Sequence, residues 1–334
     1  MNEIFLDGLP QALVPGIRSI GTSVSGTQIA VETIEDYQHI PVEMQRGLNG
    51  STIFDSGDND GYSLCLNAAE DAISRAGITA LDVDFIAHVS SRIPNSFLSS
   101  EVGRLQHDLG ARHAIGISLS GLGCADTSMA LKLAWDHLRA NHQSRNALVA
   151  YGHVRYASSR FRVPVTVNGD GGGAVVIGRG GGNEISVLAI EQFLHGSYWN
   201  LFSVSHRQSH CTEYEEICLD KRRYSFELAV ESKNIFDALS RKLEGDTGYS
   251  IKSVDHVIMQ NLSLQAYQFY ETAMGIQISP VCYDNLKRYG HLGGADIFFN
   301  LRSGLETGIF SRGQTILLMN NSPSAAWSVL FLRV

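Results

Sequence analysis

The sequence lacks most features that mark secreted, membrane or nucleic-acid-binding proteins. Its 334 residues include five cysteines without paired spacing, which indicates reduced thiols and excludes a disulfide framework. The net charge is −8 and no run of Lys or Arg occurs, which argues against nucleic acid or an anionic membrane surface as a partner. No apolar run reaches the ~18 residues of a membrane span, and the N-terminus lacks a signal-peptide pattern. We therefore expect a cytoplasmic protein.

Cys124 is the most informative of the five cysteines. It stands in Gly-Leu-Gly-Cys-Ala-Asp, residues 121–126, between an apolar run and a helical pattern over residues 129–138. A thiol at a helix start meets unpaired N–H groups and the helix dipole, which favour the thiolate. The preceding glycines allow a tight turn, and nearby amides can form an oxyanion hole for a thioester. The pattern predicts a nucleophile, the alternative being a small cysteine packed under a turn.

The chain repeats its own pattern at an offset of about 170 residues, the sign of a duplicated unit. In both halves a helical segment precedes a short apolar strand, and further matches follow in the same order. The matched positions are Asp84 with Asp255, Gly123 with Gly293, residues 147–150 with 315–318, and residues 174–179 with 328–333. Four matches in one order are improbable by chance.

The repeat predicts two α/β halves, residues 1–178 and 179–334, with sheets covered by helices. A duplication places equivalent loops around a shared pseudo-dyad, and a junction between halves is a common place for a site. The loop of Cys124 should therefore face the loops after Met259 and Tyr289. This makes Gln260, Asn261 and His291 candidate partners of the thiol.

Several segments together resemble the thiolase superfamily and, more narrowly, ketoacyl-ACP synthase III. They are the Cys124 turn, Asn168 to Val176, the turn Gly-His-Leu-Gly-Gly-Ala over residues 290–295, and the last strand ending at Val334. The resemblance covers nearly the whole chain. It implies a five-layered αβαβα fold, usually dimeric, in which acyl-CoA or acyl-ACP acylates the cysteine. A His and an Asn of that family then act on a malonyl extender, which loses carbon dioxide and attacks the thioester.

The sequence departs from that family at both partners of the cysteine. Gln260 and Asn261 stand where the family has its His, and His291 stands where it has its Asn. This exchange resembles the biosynthetic and degradative thiolases, although their second cysteine is absent here. An imidazole near the thiol can take its proton, whereas an amide can only donate a hydrogen bond. We predict Cys124, His291, Asn261 and Gln260 as catalytic residues, with one of the two amides in the site.

Other departures concern substrate binding. Of the family's basic cluster that holds coenzyme A, only Arg46 is present, which favours delivery by a carrier protein. Pro323 stiffens a loop that is glycine-rich in the family, and Phe97 matches an aromatic that reaches the neighbouring subunit, where simple interface packing is the alternative. The predicted substrate-binding residues are Phe97, Ser322, Ser324, Arg46 and His153.

We expect neither a metal nor a resident cofactor. His206, His210, Cys211 and Cys218 match no common zinc spacing, and residues 195–223 look like an insertion over the site entrance. The predicted function is a ketosynthase that takes an acyl group from acyl-ACP or acyl-CoA onto Cys124 and condenses it with a malonyl unit in fatty-acid-like or polyketide biosynthesis. The alternatives are acyl transfer to an amine or alcohol, or a silent subunit. The expected partners are an acyl carrier protein or coenzyme A thioesters and a second copy, or a homologue in a heterodimer.

Overall fold

The computed structural model describes residues 14–48, 50–57, 59–90, 99–155, 159–204 and 216–334. Eight α-helices form in these ranges. They are α1 (Val42–Leu48), α2 (Gly61–Arg75), α3 (Glu101–Leu109), α4 (Asp126–Ala140), α5 (Leu228–Thr247), α6 (Leu264–Met274), α7 (Pro280–Tyr289) and α8 (Asp296–Glu306). In these described ranges no helix is both long and apolar enough to cross a membrane.

The strands are short and mostly buried. In chain order they are β1 (Gly16–Ser23), β2 (Thr27–Ala30), β3 (Thr52–Asp55), β4 (Phe85–Val89), β5 (Ile115–Leu119), β6 (Asn146–His153), β7 (Phe161–Arg162), β8 (Thr166–Val167), β9 (Gly171–Gly178), β10 (Ile185–Leu194), β11 (Phe202–Val204), β12 (Glu216–Cys218), β13 (His256–Met259), β14 (Thr315–Ser322) and β15 (Ala326–Arg333). Nine of them form one sheet, in the order β13-β14-β15-β10-β1-β9-β6-β4-β5. The other six form three two-stranded pairs.

The sheet consists of two similar runs that meet where β1 pairs with β10. Outward from this junction, one run is β9-β6-β4-β5 and the other is β15-β14-β13. Each run begins with two antiparallel pairings and continues with a parallel one. Corresponding strands of the two runs are thus the strands that the sequence repeat matched. The division at residue 178 stays a prediction.

Two aspartates show how closely the repeat is kept. Asp84, just before β4, accepts hydrogen bonds from the backbone N–H groups of Arg145 and Asn146 at 2.6 and 3.1 Å. Asp255, just before β13, accepts one from the backbone N–H of Thr315 at 2.7 Å. Each carboxylate therefore satisfies backbone donors at the start of the neighbouring parallel strand. An aspartate therefore binds the backbone of the neighbouring strand in both halves.

The core lies in alternating layers of helix and sheet. The side chain of Ile86 joins a cluster with α2 and α3, whereas Phe85, Ala87 and Val89 face a second cluster with α4 and α8. This alternation follows from the two faces of a strand. Helix α8 lies against strands of both runs, and α5 covers β10 and β15 on the far side. The predicted α/β fold of layered sheets and helices is confirmed.

Candidate active site

The turn that carries Cys124 has a structural duplicate in the second half. A 3₁₀ turn, Gly123–Ala125, leads into α4, and an equivalent turn, Gly293–Ala295, leads into α8. Gly123 and Gly293 have φ of 59° and 62°, a left-handed conformation that favours glycine. The sequence match of these two glycines therefore reflects one shared backbone shape.

The first aspartate of each following helix holds its turn in place. Asp126 accepts a hydrogen bond from the backbone N–H of Leu122, and Asp296 accepts one from that of Leu292 at 2.7 Å. The two turns also pack tightly against each other, since a Cβ atom on Gly294 would lie 2.5 Å from Cγ2 of Thr127. This close packing brings the second turn onto the thiol.

The backbone of His291 is held by the segment after β8. Its N–H donates to the carbonyl of Val167 at 2.7 Å, and its carbonyl accepts from the N–H of Gly169 at 3.0 Å. A Cβ on Gly169 would lie 2.3 Å from the carbonyl oxygen of Tyr289, so only glycine allows this approach. The glycine-rich segment of the sequence thus positions the histidine, as close backbone approach beside the site predicts.

Cys124, His291 and Asp296 form a continuous hydrogen-bonded row. The Cys124 Sγ lies 3.2 Å from Nε2 of His291, and Nδ1 of His291 lies 2.5 Å from Oδ2 of Asp296. His291 and Asp296 are both buried. This is the arrangement of a nucleophile, a base and a group that orients the base.

Sequence reasoning missed Asp296. As the first residue of a helix it resembles an ordinary acidic residue of a first helical turn, and it binds the N–H of Leu292 in the preceding turn. The signal that was available is the repeat, because Asp296 corresponds to Asp126 and lies five residues after His291. In the second half this carboxylate also forms a hydrogen bond with Nδ1 of the His291 imidazole.

The charges around the thiol favour an ion pair of Cys124 and His291. Burial alone raises the pKa of the Cys124 thiol, but the His291 imidazolium and then the Arg162 guanidinium outweigh it, so the pKa is lowered. Burial acts against the charged form of His291, yet the Asp296 carboxylate and the Cys124 thiolate raise its pKa. The thiolate and the imidazolium therefore stabilise each other.

The two candidate amides differ in position. Gln260 lines the cavity above the thiol, and its side chain exchanges two hydrogen bonds with the backbone of Asn321, at 2.5 and 2.7 Å. Asn261 is fully buried, donates to the carbonyl of Gly290 and accepts from Asn300. The side chains of both amides are therefore bound to other groups of the protein. Of the two, only Gln260 reaches the cavity wall.

A cavity of about 260 Å³ opens onto Cys124 and His291. Its wall is mainly apolar, with side chains from β8, the start of α5, α6 and the β14–β15 turn. The apolar members are Pro164, Val165, Phe226, Leu228, Ala229, Val230, Leu262, Ala266, Phe269 and Pro323. A cavity of this kind suits an acyl chain or the arm of a thioester.

The predicted substrate-binding residues are not all in this wall. Ser322 lines the cavity, and its buried hydroxyl has no hydrogen-bond partner among the described residues. Ser324 lies in the turn that adjoins the cavity. His153 lies at the end of β6, where burial lowers its pKa to about 4. Arg46 is exposed on α1, next to Gly47, which packs on the lining residue Gln265. Phe97, like His206, His210 and Cys211, lies outside the described residues.

A larger cavity, of about 620 Å³, adjoins the first. Arg162, Pro164, Tyr224 and Ser225 line both cavities and so form a shared wall. Tyr224 belongs to a π-helical turn, Arg223–Glu227, just before α5. Such turns are frequent at functional sites. Nothing in the sequence predicted this second compartment.

Comparison with known proteins agrees with this fold. Residues 245–334 match the family model described as 3-oxoacyl-[acyl-carrier-protein (ACP)] synthase III C terminal. The beta-ketoacyl-[acyl-carrier-protein] synthase III of Porphyra umbilicalis is 23% identical over 278 residues, covering 81% of this chain and 83% of its own. Among solved structures, ChlB3, described as an acyltransferase, superposes with a TM-score of 0.81 at 21% identity, covering 96% of this chain and 97% of its own.

The 3-oxoacyl-[acyl-carrier-protein] synthase III of Aquifex aeolicus superposes with a TM-score of 0.76 at 19% identity, covering 96% of this chain and all of its own. Fold and matches together indicate an acyltransferase similar to the enzymes of the thiolase superfamily. Within that superfamily the chain resembles ketoacyl-ACP synthase III, the description that its C-terminal family model and its curated relatives share. The predicted resemblance is thereby confirmed.

Proposed function

We propose that this protein transfers an acyl group from a thioester onto Cys124 and from there to an alcohol or amine, without decarboxylation. The observation that carries the proposal is the position of His291, whose Nε2 lies 3.2 Å from the Cys124 sulfur and whose Nδ1 lies 2.5 Å from Oδ2 of Asp296. A histidine held in this way serves as a base and an acid for the thiol. The proposed reaction needs no resident cofactor, since the pantetheine arm belongs to the substrate.

The first half-reaction starts from the thiolate and the imidazolium. The Cys124 thiolate attacks the thioester carbonyl, and the negative charge that develops on oxygen is expected to meet the Cys124 backbone N–H. The C–S bond to the pantetheine sulfur breaks, and this sulfur takes the proton of His291 as it leaves. The products are an S-acyl Cys124, a pantetheine thiol and a neutral His291.

The second half-reaction restores the starting state. The neutral His291 takes the proton of an acceptor O–H or N–H as the oxygen or nitrogen attacks the acyl carbon. The C–S bond to Cys124 then breaks, and the thiolate is again paired with the imidazolium. Asp296 holds Nδ1 of His291 throughout, so that Nε2 faces the sulfur and the acceptor.

Decarboxylative condensation, our first expectation from sequence, is the second candidate. The names of the relatives favour it, whereas the donors near the thiol do not. A malonyl enolate requires hydrogen-bond donors aimed at its oxygen, and loss of one such donor costs on the order of 10²–10³ in rate. The amide of Asn261 is bound to Gly290, and that of Gln260 is bound to Asn321. Neither replaces the missing donor in the position it holds.

A single-turnover experiment separates the two candidates. We expect incubation with butyryl-CoA or a butyryl carrier protein to add one butyryl mass to the protein. Addition of a carboxyl-labelled malonyl carrier protein should release no more carbon dioxide than enzyme alkylated at Cys124, while simple alcohols or amines should remove the acyl group. Release of one carbon dioxide per acyl group lost would contradict the proposal and establish condensation.

We further propose that two copies of the chain form a homodimer through β5. This strand is the edge of the large sheet, and Ile115 and Ile117 on it are 66% and 36% exposed. An exposed apolar edge strand is a template for pairing with a second chain. Sedimentation equilibrium should show a dimer for the wild type and a monomer for Ile117→Lys. A monomeric wild type would contradict the homodimer and favour a heterodimer with a homologue.

A further inference from the structure

The wall between the two cavities holds an arginine close to the reactive thiol. Arg162 lines both cavities, and its positive charge helps to lower the pKa of Cys124, against which burial acts. Its side chain is only 21% exposed. A guanidinium in this position can reach a molecule in the larger cavity whose far end lies near the thiol.

Arg162 is fixed by several contacts, but these contacts involve only part of its guanidinium. Its Nε and Nη2 donate to the two carboxylate oxygens of Glu216 at 2.6 and 2.9 Å, and its guanidinium carbon lies 5.5 Å from the centre of the Phe202 ring. These contacts fix the plane of the guanidinium. Its Nη1 has no acceptor among the described residues. The free edge is therefore preorganised for a planar anion.

Among the described residues, the lining of the larger cavity has an excess of positive charge. Arg162 and Lys221 line it together with Glu216, so two permanent cations accompany one carboxylate there. Lys221 forms no ion pair with any residue in the described part of the chain. A single bound anion would balance the charges of this lining. Among small organic anions, a carboxylate matches the fork of an arginine best.

We propose that Arg162 binds the carboxylate of the acceptor, so that Cys124 passes its acyl group to an alcohol or amine that also carries a carboxylate. This inference rests on the proposed acyl transfer. In the reaction, the acceptor O–H or N–H loses its proton to His291, the new C–O or C–N bond forms, and the C–S bond to Cys124 breaks. The carboxylate itself is unchanged.

The chemistry favours a carboxylate that is kept over one that is lost. An arginine that binds a malonyl carboxylate stabilises the charge that decarboxylation must remove, which lowers the energy of the ground state and slows the reaction. A carboxylate that stays on the product gives the same binding energy in the ground state and in the transition state. Arg162 can therefore hold such an acceptor without slowing transfer.

Binding of a fluorinated probe tests the carboxylate site directly. The probe is 4-fluorophenylacetate, with its methyl ester as neutral counterpart, and binding is measured by fluorine NMR. We expect Arg162→Gln to weaken binding of the acid roughly 10- to 100-fold, the size of a lost charged hydrogen-bonded pair. Glu216→Gln should tighten it several-fold, because it removes the competing carboxylate. Arg302→Gln, which removes an ion-paired arginine from Asp71 and Glu306 on another face, should have no effect.

Binding of the ester distinguishes a carboxylate-binding role of Arg162 from a merely structural one. Its binding should be the same in all variants. Equal binding of acid and ester, or equal weakening of both by Arg162→Gln and Glu216→Gln, would overturn the proposal. A hydroxy acid such as 3-hydroxybutyrate should also remove the acyl group from Cys124 faster than its methyl ester in the wild type, and this preference should vanish in Arg162→Gln.

Two further outcomes are distinguishable. If Arg162→Gln slows loading of Cys124 from succinyl-CoA but not from butyryl-CoA, the carboxylate belongs to the donor and the acceptor assignment is wrong. If the probe binds as expected but no donor acylates Cys124, the proposed function fails while the carboxylate site stands. Loading is read as the mass of the intact protein.

Discussion

Cys124→Ala is expected to remain folded and to gain no acyl mass from any thioester donor, whereas the wild type gains one acyl group per chain. The reason is that the sulfur forms the only covalent bond to the acyl group in the proposed reaction. Of the described thiols, only Cys124 has a lowered pKa. Burial raises the pKa of Cys65, Cys218 and Cys282, and the Lys221 charge near Cys218 does not outweigh it. The measurement is intact-protein mass spectrometry after incubation with acyl-CoA and acyl carrier proteins.

Cys65→Ala is the matched control, because Cys65 is a buried free thiol on α2, away from both cavities. This variant should be acylated to the same extent as the wild type. Thermal unfolding followed by circular dichroism should show that both variants are folded. An acyl adduct of full size on Cys124→Ala would contradict the assignment of the nucleophile, and no adduct on the wild type with any donor would leave the silent-subunit alternative.

Asp296→Asn is expected to lower the rate of acyl transfer on the order of 10⁴-fold, as replacement of the aspartate of a Ser-His-Asp triad does. The asparagine fills the same space, but an amide neither selects the Nδ1-protonated imidazole nor supports its positive charge. Asp296 also has a direct effect of opposite sign, because its negative charge raises the pKa of Cys124. That effect is smaller than the effect of His291, so loss of the imidazolium dominates.

The pH dependence of alkylation gives a readout that a structural role would not move. In the wild type the pKa of Cys124 is lowered and that of His291 is raised, so the ion pair exists between these two values. Without Asp296 the pKa of His291 falls and that of Cys124 rises. The inflection of the iodoacetamide rate should therefore move to higher pH. A profile that matches the wild type would show that Asp296 only holds the turn before its helix.

Asp126→Asn is the control for the turn-closing role. Asp126 occupies the equivalent place in the first turn, where it binds the N–H of Leu122. The substitution removes a similar carboxylate but keeps the contact of His291 with Asp296. Its free energy of unfolding should fall by about 1 kcal/mol, the usual net contribution of one hydrogen bond. Its alkylation profile should not move to higher pH.

Much of the fold could be predicted from the sequence, because one structural unit occurs twice in the chain and leaves the same residue pattern each time. Asp84 and Asp255 begin equivalent strands, and Gly123 and Gly293 require the same left-handed backbone, so both pairs leave a trace in the residues. The sequence therefore predicted that the loop with Cys124 would face the loop with His291, and the two side chains are in contact. Their catalytic roles remain a proposal.

The remaining features depend on side-chain directions that a sequence does not contain. Gln260 and Asn261 are neighbours after a strand, so their side chains point in different directions, and only the packed structure shows that Gln260 reaches the cavity. Asp296 looks like an ordinary aspartate at a helix start because it does bind the backbone of the turn before the helix. The larger cavity needs Arg162, Glu216 and Tyr224 to meet, although they come from distant parts of the chain.

The division of the site between two turns has a consequence for a chain during its synthesis. In the proposed reaction the sulfur comes from Cys124 and the base is His291, which leaves the ribosome 167 residues later, the separation of the two in the chain. Until the second turn has docked on the first, Cys124 has no imidazolium beside it and reacts as an ordinary thiol. On this proposal a partly made or misfolded chain captures acyl groups more slowly than the folded protein, because its thiolate fraction is smaller.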